Sequence, residues 1–267
     1  SYTAWAPGGT GGESEELVGE WLRGRPDRDE AFVSTKVGLP YLDVPKGLNP
    51  QVIRREIDRS LKRLRVDCID LYLAHDDEPN QPIEETVGTF AEIAKAGKIR
   101  HYGICNHYVH RMAEAVGVSR RDGNTPITVV QMRYSYLRDN AWSIATPGRP
   151  TNVNLEVLLY CGAQNLPIMT FSALAKGVYT NPAKSLPPYY AGEDSTRRLS
   201  KLREVAGRLG VSPNALVLRW LRTNPYATLI PLFSASSVAQ IEDNLAAAEI
   251  KMSGELWKEL DSAGPPA

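Results

Sequence analysis

Five short apolar segments of the chain each run into a polar residue, and a helical pattern follows each of them. The segments are 31–35, 68–74, 99–105, 127–130 and 168–171, and the residues after them are Lys36, His75, Asn106, Gln131 and Ser172. Apolar runs of this length are typical of buried parallel strands. In a parallel α/β barrel the carboxyl ends of all strands face one mouth, where the chemistry takes place. The pattern therefore predicts that these five polar residues, far apart in sequence, converge in space.

The composition argues against several classes of protein. The chain holds 31 lysines and arginines and 31 aspartates and glutamates, so no basic face can be inferred and no nucleic-acid partner is expected. No apolar run approaches the roughly 18 residues that span a bilayer, and no signal peptide opens the chain, so no membrane partner is expected. Cys68, Cys105 and Cys161 lie in or beside apolar segments without metal-ligand spacing. We expect buried thiols, no metal site and a cytoplasmic location.

Capping residues mark the starts of several helices. The predicted caps are Asn49, Ser212, Ser237 and Ser253, and Gln240 completes a capping box with Ser237. Further helices are predicted over 13–22, 82–97, 107–117 and 152–164, and a sixth strand over 227–232. Residues 175–195 are rich in proline and tyrosine and are predicted to form a lid or loop.

Strands that alternate with helices fit either a doubly wound sheet or a barrel. The glycine-rich opening of the chain contains no G-x-G-x-x-G after a strand, which argues against a dinucleotide-binding sheet. Polar residues at the end of strand after strand favour the barrel. We therefore predict an α/β fold, a (β/α)8 TIM barrel with about six of its eight strands present, as a single domain over 1–267.

Six motifs in order along the chain resemble the aldo-keto reductase superfamily. They lie at 12–19, 32–38, 70–75, 103–106, 171–177 and 240–244, and Cys105 stands where the family has serine. The resemblance covers essentially the whole chain. It implies that roughly two βα units of the barrel, on the order of 50 residues, lie upstream of residue 1.

The resemblance implies reduction of an aldehyde or ketone by hydride transfer from a nicotinamide cofactor. The family's catalytic set is aspartate, tyrosine, lysine and histidine, which carries over to Tyr2, Lys36 and His75, with the aspartate upstream of residue 1. Tyr2 would be the general acid, and the ammonium of Lys36 would lower its pKa from about 10. His75 would polarise the carbonyl. The alternatives are a solvated lysine at a strand end and a structural histidine.

The resemblance also implies the residues that bind the cofactor, for which NADP is expected. They are Asn106, Gln131, Phe171, Ser172, Leu174, Gly177, Ser234, Ser236, Gln240 and Asn244. Asn106 and Gln131 would bond the nicotinamide amide and Phe171 would stack on its ring, although Asn106 could instead cap the following helix and Phe171 could be ordinary core. The turn 232–237 carries no lysine or arginine for a 2′-phosphate. The hydroxyls of its serines could serve in part, and NAD is possible.

Aromatic residues in loops are expected to ring the mouth and contact a small-molecule carbonyl substrate. They are Trp5, Tyr41, Tyr136 and Trp142. Asp76 and Asp77 beside His75 favour a sugar-like substrate. His101, His107 and His110 are interpreted as structural. The alternatives are a non-catalytic, cofactor-sensing protein on the same scaffold and a barrel lyase or isomerase, which would need a phosphate or metal site. The sequence gives no oligomeric state.

Overall fold

The computed structural model describes residues 7–121, 125–139 and 152–264. The predicted residues Tyr2, Trp5 and Trp142 lie outside these ranges. The chain divides into two compact units, 1–130 and 131–267, and the strand that spans the division contributes to both.

The first unit alternates strands and helices. In order these are α1 (Glu13–Leu22), β1 (Ser34–Val37), α2 (Pro50–Leu64), β2 (Ile69–Ala74), α3 (Ile83–Lys95), β3 (Ile99–Cys105), α4 (Val109–Arg120) and the start of β4 (Val129–Arg133). A short 3-10 turn lies at Arg28–Glu30. Strands β1, β2 and β3 are neighbours in that order and run parallel, as predicted for βα units.

The register of these strands determines which residues share a face. Lys36 lies opposite Leu73, and Leu73 lies opposite Gly103. Because side chains alternate along a strand, His75 and Cys105 point to the same side as these three residues. We call this side, defined by Lys36, Leu73, His75, Gly103 and Cys105, the site face.

Aromatic residues cover the opposite side of the sheet, which we call the helix face. Tyr72 of β2 and Tyr102 of β3 pack on Phe90 of α3, with ring centroids 5.7 and 5.3 Å apart. All three rings are buried, together with Ile53 and Ile57 of α2. Full burial of a side chain of this size stabilises the fold by about 1.5–3 kcal/mol, so the helices are fixed to the sheet chiefly by this layer.

The first strand begins later than predicted. Ala31 instead closes the 3-10 turn through a bond from its N–H to the carbonyl of Arg28, and Phe32 is exposed. The N–H of Val33 is taken by the carboxylate of Asp70, at 2.9 Å. Lys36 therefore lies inside β1 and not after it. Gln131 likewise lies in the middle of β4, whereas the strands predicted at 99–105 and 168–171 are confirmed.

The second unit continues from β4. Its elements are α5 (Leu155–Ala163), β5 (Ile168–Phe171), α6 (Glu193–Leu209), α7 (Pro213–Arg222), β6 (Leu229–Pro231), α8 (Val238–Leu245) and α9 (Gly254–Asp261). Short 3-10 turns lie at Ala175–Gly177, Pro188–Tyr190 and Ala246–Glu249. Strands β4, β5 and β6 are neighbours in that order, and Ile168 of β5 lies opposite Leu229 of β6 in a parallel pair.

The predicted helix caps are confirmed. The side chains of Asn49, Ser212, Ser237 and Ser253 each accept a hydrogen bond from the backbone N–H three residues further on. These bonds satisfy donors that the first turn of a helix otherwise leaves without partners. The region predicted as a lid or loop holds only the 3-10 turns at Ala175–Gly177 and Pro188–Tyr190 before α6 begins.

Candidate active site

The site face of the first unit carries two of the predicted catalytic residues. Lys36 is half-buried on β1, and His75 follows β2 with its N–H bonded to the carbonyl of Val37 at 2.8 Å. His75 is 6% exposed. The two side chains are close enough for the positive charge of Lys36 to act on the imidazole. The structure thus brings together a lysine and a histidine that lie 39 positions apart, as the strand pattern predicted.

Burial sets the protonation state of His75. It lowers the pKa of the imidazole to about 3, and the charge of Lys36 adds to the effect. The side chain is therefore neutral at neutral pH, with one N–H donor and one acceptor nitrogen. A neutral imidazole in a dry site can donate a hydrogen bond to a carbonyl oxygen without itself losing a proton.

The other groups of the site face respond to the same dry environment. Burial lowers the pKa of Lys36, which favours release of its proton more than in water. Burial also raises the pKa of Cys105 to about 12, against the opposing charge of Lys36. Cys105 is therefore a thiol at neutral pH and not a nucleophilic thiolate.

In the part of the chain that the structure describes, Cys68, Cys105 and Cys161 form no disulfide, and Cys68 is only half-buried.

Asn106 is turned so that its side chain reaches back to β2. Its φ of +58° is a left-handed conformation that asparagine tolerates better than most residues. Its amide nitrogen donates to the carbonyl of His75 at 3.0 Å. Its side-chain oxygen is buried and has no hydrogen-bond partner among the described residues. The cap position of α4 is held by Tyr108 instead, so Asn106 does not cap that helix.

The two aspartates beside His75 are already neutralised. Asp76 pairs with Lys46 at 2.8 Å, and Asp77 is 3.4 Å from Arg111. His107 also faces Asp77, and its other ring nitrogen lies 2.7 Å from the carbonyl of Cys105, which is a structural role as predicted. The preference for a sugar-like substrate therefore loses its support. Lys46 and Arg111 were missed because both lie on other elements, about 30 positions away in sequence.

Tyr41, predicted to contact substrate, lies next to Lys36. Its hydroxyl donates to the carboxylate of Glu56, and the guanidinium of Arg63 lies 5.8 Å from its ring. Tyr41, Glu56, Arg63 and Lys36 help to line a cavity of about 10 Å³, which is room for one water molecule. Tyr41 thus joins the β1–α2 loop to α2.

Tyr136, by contrast, is not at a mouth. It is 1% exposed, its hydroxyl donates to the carbonyl of Leu260 at 2.9 Å, and its ring packs edge-on against Trp220. Trp220 in turn stacks on Trp257 of α9 at 5.6 Å. Tyr136 is part of the core of the second unit, and the prediction that it borders the substrate is wrong.

In the second unit, Gln131 and Phe171 share one face. The side-chain nitrogen of Gln131 lies 4.0 Å from the sulfur of Met169, and Phe171 follows Met169 by two residues on the same side of β5. Phe171 is half-buried. The loop after β5 holds the predicted residues Ser172, Leu174 and Gly177, of which Ser172 is exposed.

The turn after β6 is open to solvent. Ser234, Ser236 and Gln240 are exposed, and the side-chain oxygen of Gln240 accepts the N–H of Ser236 at 2.8 Å. Gln240 therefore has a role at the start of this helix, as predicted, and its binding of the cofactor stays a prediction. Asn244 of α8 is buried, and its side-chain oxygen has no hydrogen-bond partner within the described ranges.

Strand β4 ends at a buried arginine, Arg133, which the strand pattern did not predict as a functional residue. Arg133 bonds Asn152 at 2.6 Å and Asp139 at 3.1 Å, and its guanidinium lies 4.4 Å from the ring centre of Tyr189. Tyr190 bonds the hydroxyl of Ser135 at 2.9 Å. The predicted lid segment is thereby fastened to the end of β4 inside the second unit.

Comparison with known proteins places the chain in a family. The sequence model of the Aldo/keto reductase family matches residues 2–265. Aldo-keto reductase str7 of Strobilurus tenacellus is 30% identical over 95% of this chain and 74% of its own length. Aldo-keto reductase yakc [NADP(+)] of Schizosaccharomyces pombe is also 30% identical, over 94% of this chain and 75% of its own.

A solved structure agrees with these relatives. The crystal structure of the thermostable aldo-keto reductase Tm1743 with the inhibitor epalrestat superposes with a TM-score of 0.71 at 29% identity. The match covers 94% of this chain and 78% of the Tm1743 chain. The chain therefore belongs to the aldo/keto reductase family. It is an oxidoreductase with the (β/α)8 barrel fold, and the residues that the structure describes supply six of the strands.

Two further observations concern the described residues alone. None of their helices combines the length and apolar character needed to cross a membrane. Their histidine, cysteine and carboxylate side chains form no cluster of three suited to a metal ion.

Proposed function

We propose that this protein reduces an aldehyde or ketone to an alcohol with NADP(H), using Tyr2, Lys36 and His75. The observation that carries the proposal is that Lys36, inside β1, acts by its charge on a neutral, buried His75 that directly follows the neighbouring parallel strand β2. A nicotinamide cofactor, when bound, supplies the hydride. The residues of the chain must then orient the carbonyl and deliver a proton to its oxygen.

Each catalytic residue has a separate part in the proposed reaction. The N–H of His75 donates to the substrate carbonyl and stabilises the charge that builds on its oxygen. Tyr2 gives its phenolic proton to that oxygen. The ammonium of Lys36 favours the resulting phenolate and so lowers the pKa of Tyr2 towards neutrality. General acid catalysis of this kind contributes about 10²–10⁴-fold to the rate.

The residues present fit a nicotinamide group. The side-chain oxygen of Asn106 is a buried acceptor without a partner in the described part of the chain, and it would take an N–H of the carboxamide. By the family resemblance alone, Gln131 is a further candidate for the carboxamide and Phe171 for the face of the ring. By the same resemblance, the rest of the cofactor would be held by Ser172, Leu174, Gly177, Ser234, Ser236, Gln240 and Asn244.

NADP is the proposed nucleotide, and NAD is the alternative. The yeast relative carries NADP(+) in its name. Against this, the turn 232–237 has no lysine or arginine for the 2′-phosphate, so only the hydroxyls of Ser234 and Ser236 are available there. The substrate proposed is a small carbonyl compound, without the sugar-like preference that Asp76 and Asp77 suggested. Trp5, Tyr41 and Trp142 stay candidate substrate contacts.

We also propose that residues 1–267 form one domain and that the protein is cytoplasmic. The single family match across nearly the whole chain supports the first proposal. Three cysteines without a disulfide in the described residues support a reducing compartment.

The test is nucleotide binding followed by turnover, on the full-length protein. NADPH and NADH are titrated separately against tryptophan fluorescence, and reduction of a small aldehyde is then followed. His75→Gln should lower kcat by about 10²–10³-fold without loss of nucleotide binding. His101→Gln, a histidine on the neighbouring strand that is exposed, is the matched control and should leave kcat unchanged.

The possible outcomes separate the proposed enzyme from its alternatives. Binding without turnover of any carbonyl compound tested would favour the non-catalytic, cofactor-sensing protein. Failure to bind either nucleotide in a folded protein would overturn the cofactor assignment and the catalytic roles built on it.

A further inference from the structure

The loop that follows β3 is fastened by a buried histidine. His107 is fully buried, and its Nδ1 lies 2.7 Å from the carbonyl oxygen of Cys105. A carbonyl oxygen only accepts hydrogen bonds, so Nδ1 carries the proton of this bond. The bond spans Asn106, the residue between the two, and closes the backbone around it. It therefore clamps the turn at Asn106.

The far side of the imidazole faces the loop that follows β2. Its Nε2 lies 3.5 Å from a carboxylate oxygen of Asp77, and the Nε of Arg111 on α4 lies 3.4 Å from the same oxygen. Arg111 also donates to the carbonyls of Glu78 and Gln81, at 3.5 and 3.3 Å. The loop after β2 is thus tied to the first turn of α4, and the imidazole is held against it.

The same two loops are also joined through Asn106. Its amide nitrogen donates to the carbonyl of His75 at 3.0 Å, so the residue proposed to polarise the substrate is one hydrogen bond from the residue proposed to bind the carboxamide. The backbone that directs the amide there has a left-handed φ of +58°. A residue other than glycine keeps such a conformation only where its surroundings hold it. The bond between His107 and Cys105 holds it on the backbone side.

The clamp determines where the buried oxygen of the Asn106 amide lies. That oxygen has no hydrogen-bond partner among the described residues, and it is the acceptor proposed for the carboxamide. If the backbone relaxed to a right-handed φ, the side chain would swing away and the acceptor would be lost. An acceptor that is oriented before the cofactor arrives does not have to be ordered on binding.

We infer that His107, held by Asp77, is a positioning residue for the nicotinamide ring. It fixes the turn that directs the amide oxygen of Asn106, and, being fully buried, it needs no contact with cofactor or substrate. The inference rests on the proposed function, in which Asn106 binds the carboxamide. It gives His107 an effect on the nicotinamide end of the cofactor and none on the adenosine end.

The test compares variants of His107 in the full-length protein. His107→Leu removes the bond to the carbonyl of Cys105 and keeps the space filled. His107→Asn is the conservative variant, because its amide nitrogen takes nearly the place of Nδ1 and restores the bond. His107→Gln reaches towards Asp77 and not towards the carbonyl. His110→Leu, the same change at an exposed histidine three positions further on, is the matched control.

The readout is the Kd for NADPH compared with the Kd for its fragment without nicotinamide, 2′-phospho-ADP-ribose. His107→Leu should raise the Kd for NADPH about 3–10-fold, the effect of weakening one hydrogen bond, and leave the Kd for the fragment unchanged. It should also lower kcat by about 10–100-fold, because the nicotinamide ring is held less precisely for hydride transfer. His107→Gln should follow His107→Leu, whereas His107→Asn and His110→Leu should match wild type. NADH and ADP-ribose replace this pair if NADH binds more tightly.

A second background separates positioning from general support of the fold. Asn106→Gly removes the amide and supplies a residue that readily keeps a left-handed φ. If His107 acts through Asn106, His107→Leu should cause no further rise in the Kd for NADPH in this background. Wild-type affinity in Asn106→Gly itself would remove the acceptor from the site, and the inference with it.

Three other results would overturn the inference and leave the reductase assignment intact. They are equal rises in Kd for NADPH and for the fragment, a further rise in the Asn106→Gly background, and an unchanged Kd for NADPH in a folded His107→Leu protein. If His107→Leu does not fold, His107→Gln carries the same test, because it places no apolar group beside Asp77. A wild-type protein that binds neither nucleotide overturns the inference and the proposed function together.

Discussion

The protonation of His75 offers a direct test of the site. Its pKa of about 3 in the folded protein, against 6.5 in the unfolded chain, means that the unfolded chain binds a proton first as the pH falls. Between these two pH values the unfolded state holds more protons than the native state. The stability that neutral His75 allows is therefore present above pH 6.5 and is lost progressively towards pH 3.

The size of the effect follows from the same two values. Protonation of His75 in the unfolded state makes the free energy of unfolding about 2 kcal/mol lower at pH 5 than at pH 7. The figure is determined by the pKa of the unfolded chain, because the native pKa lies far below pH 5. A loss of this size is a large part of the roughly 5–15 kcal/mol by which a domain is stable.

The assay is urea unfolding at pH 7 and pH 5 for wild type and His75→Gln. Wild type should lose about 2 kcal/mol more than the variant over this interval. The comparison is needed because burial also lowers the pKa of His107, which is present in both proteins. His101→Gln is the control and should lose as much as wild type. Equal losses in wild type and His75→Gln, or an NMR titration of His75 close to pH 6.5, would refute the reasoning.

Further predictions concern four other positions. Lys36→Met should lower kcat by about 10²–10⁴-fold in the aldehyde assay, with an unchanged Kd for the nucleotide; a near-normal kcat would remove Lys36 from the mechanism. Gly103→Ala should destabilise the protein by about 1–3 kcal/mol in urea unfolding, because the new Cβ would lie 2.3 Å from the carbonyl oxygen of Val129. Gly117→Ala, in open space on α4, should instead stabilise it by about 0.5–1 kcal/mol, and equal effects at the two glycines would contradict the packing argument. Ser236→Lys should lower the Kd for NADPH about tenfold and leave the Kd for NADH unchanged. Equal effects on the two Kd values would show that this turn does not hold the 2′-phosphate.

Much of the fold could be predicted from local patterns. Helix 13–22 and the strands 99–105 and 168–171 were predicted with the bounds that the structure has, because hydrophobic periodicity and caps are recorded in neighbouring residues. The first strand was misplaced because its start depends on a distant residue. Asp70 on β2 takes the N–H of Val33, and no pattern within 31–35 reveals that bond.

The candidate site divides in the same way. That Lys36 and His75 meet follows from the polarity of parallel strands, which the sequence pattern contains. The pairing of Asp76 with Lys46 and of Asp77 with Arg111 does not follow from it, since the partners come from a loop and a helix elsewhere in the chain. Those pairings decide which carboxylates are left for a substrate, so the predicted preference lost its support although the residues were found.

Tyr136 illustrates a different limit. An aromatic residue in a predicted loop can lie at a mouth or fill the core, and composition alone does not separate the two. The outcome here depends on the carbonyl of Leu260, on α9 and far along the chain, which accepts the hydroxyl of Tyr136. Only the packing of the second unit determines it.

The two faces of the first sheet have a consequence for how this protein can change over evolution. Tyr72, Phe90 and Tyr102 on the helix face hold the elements together, whereas Lys36, His75 and Cys105 point the other way. A new substituent on the site face meets none of those three rings, although at Gly103 it would meet the carbonyl of Val129. Mutation can therefore explore new substrates in one layer while the other preserves the scaffold. Because alternate residues of a strand point to opposite faces, directed evolution should find the tolerated substitutions mainly at every second position of each strand.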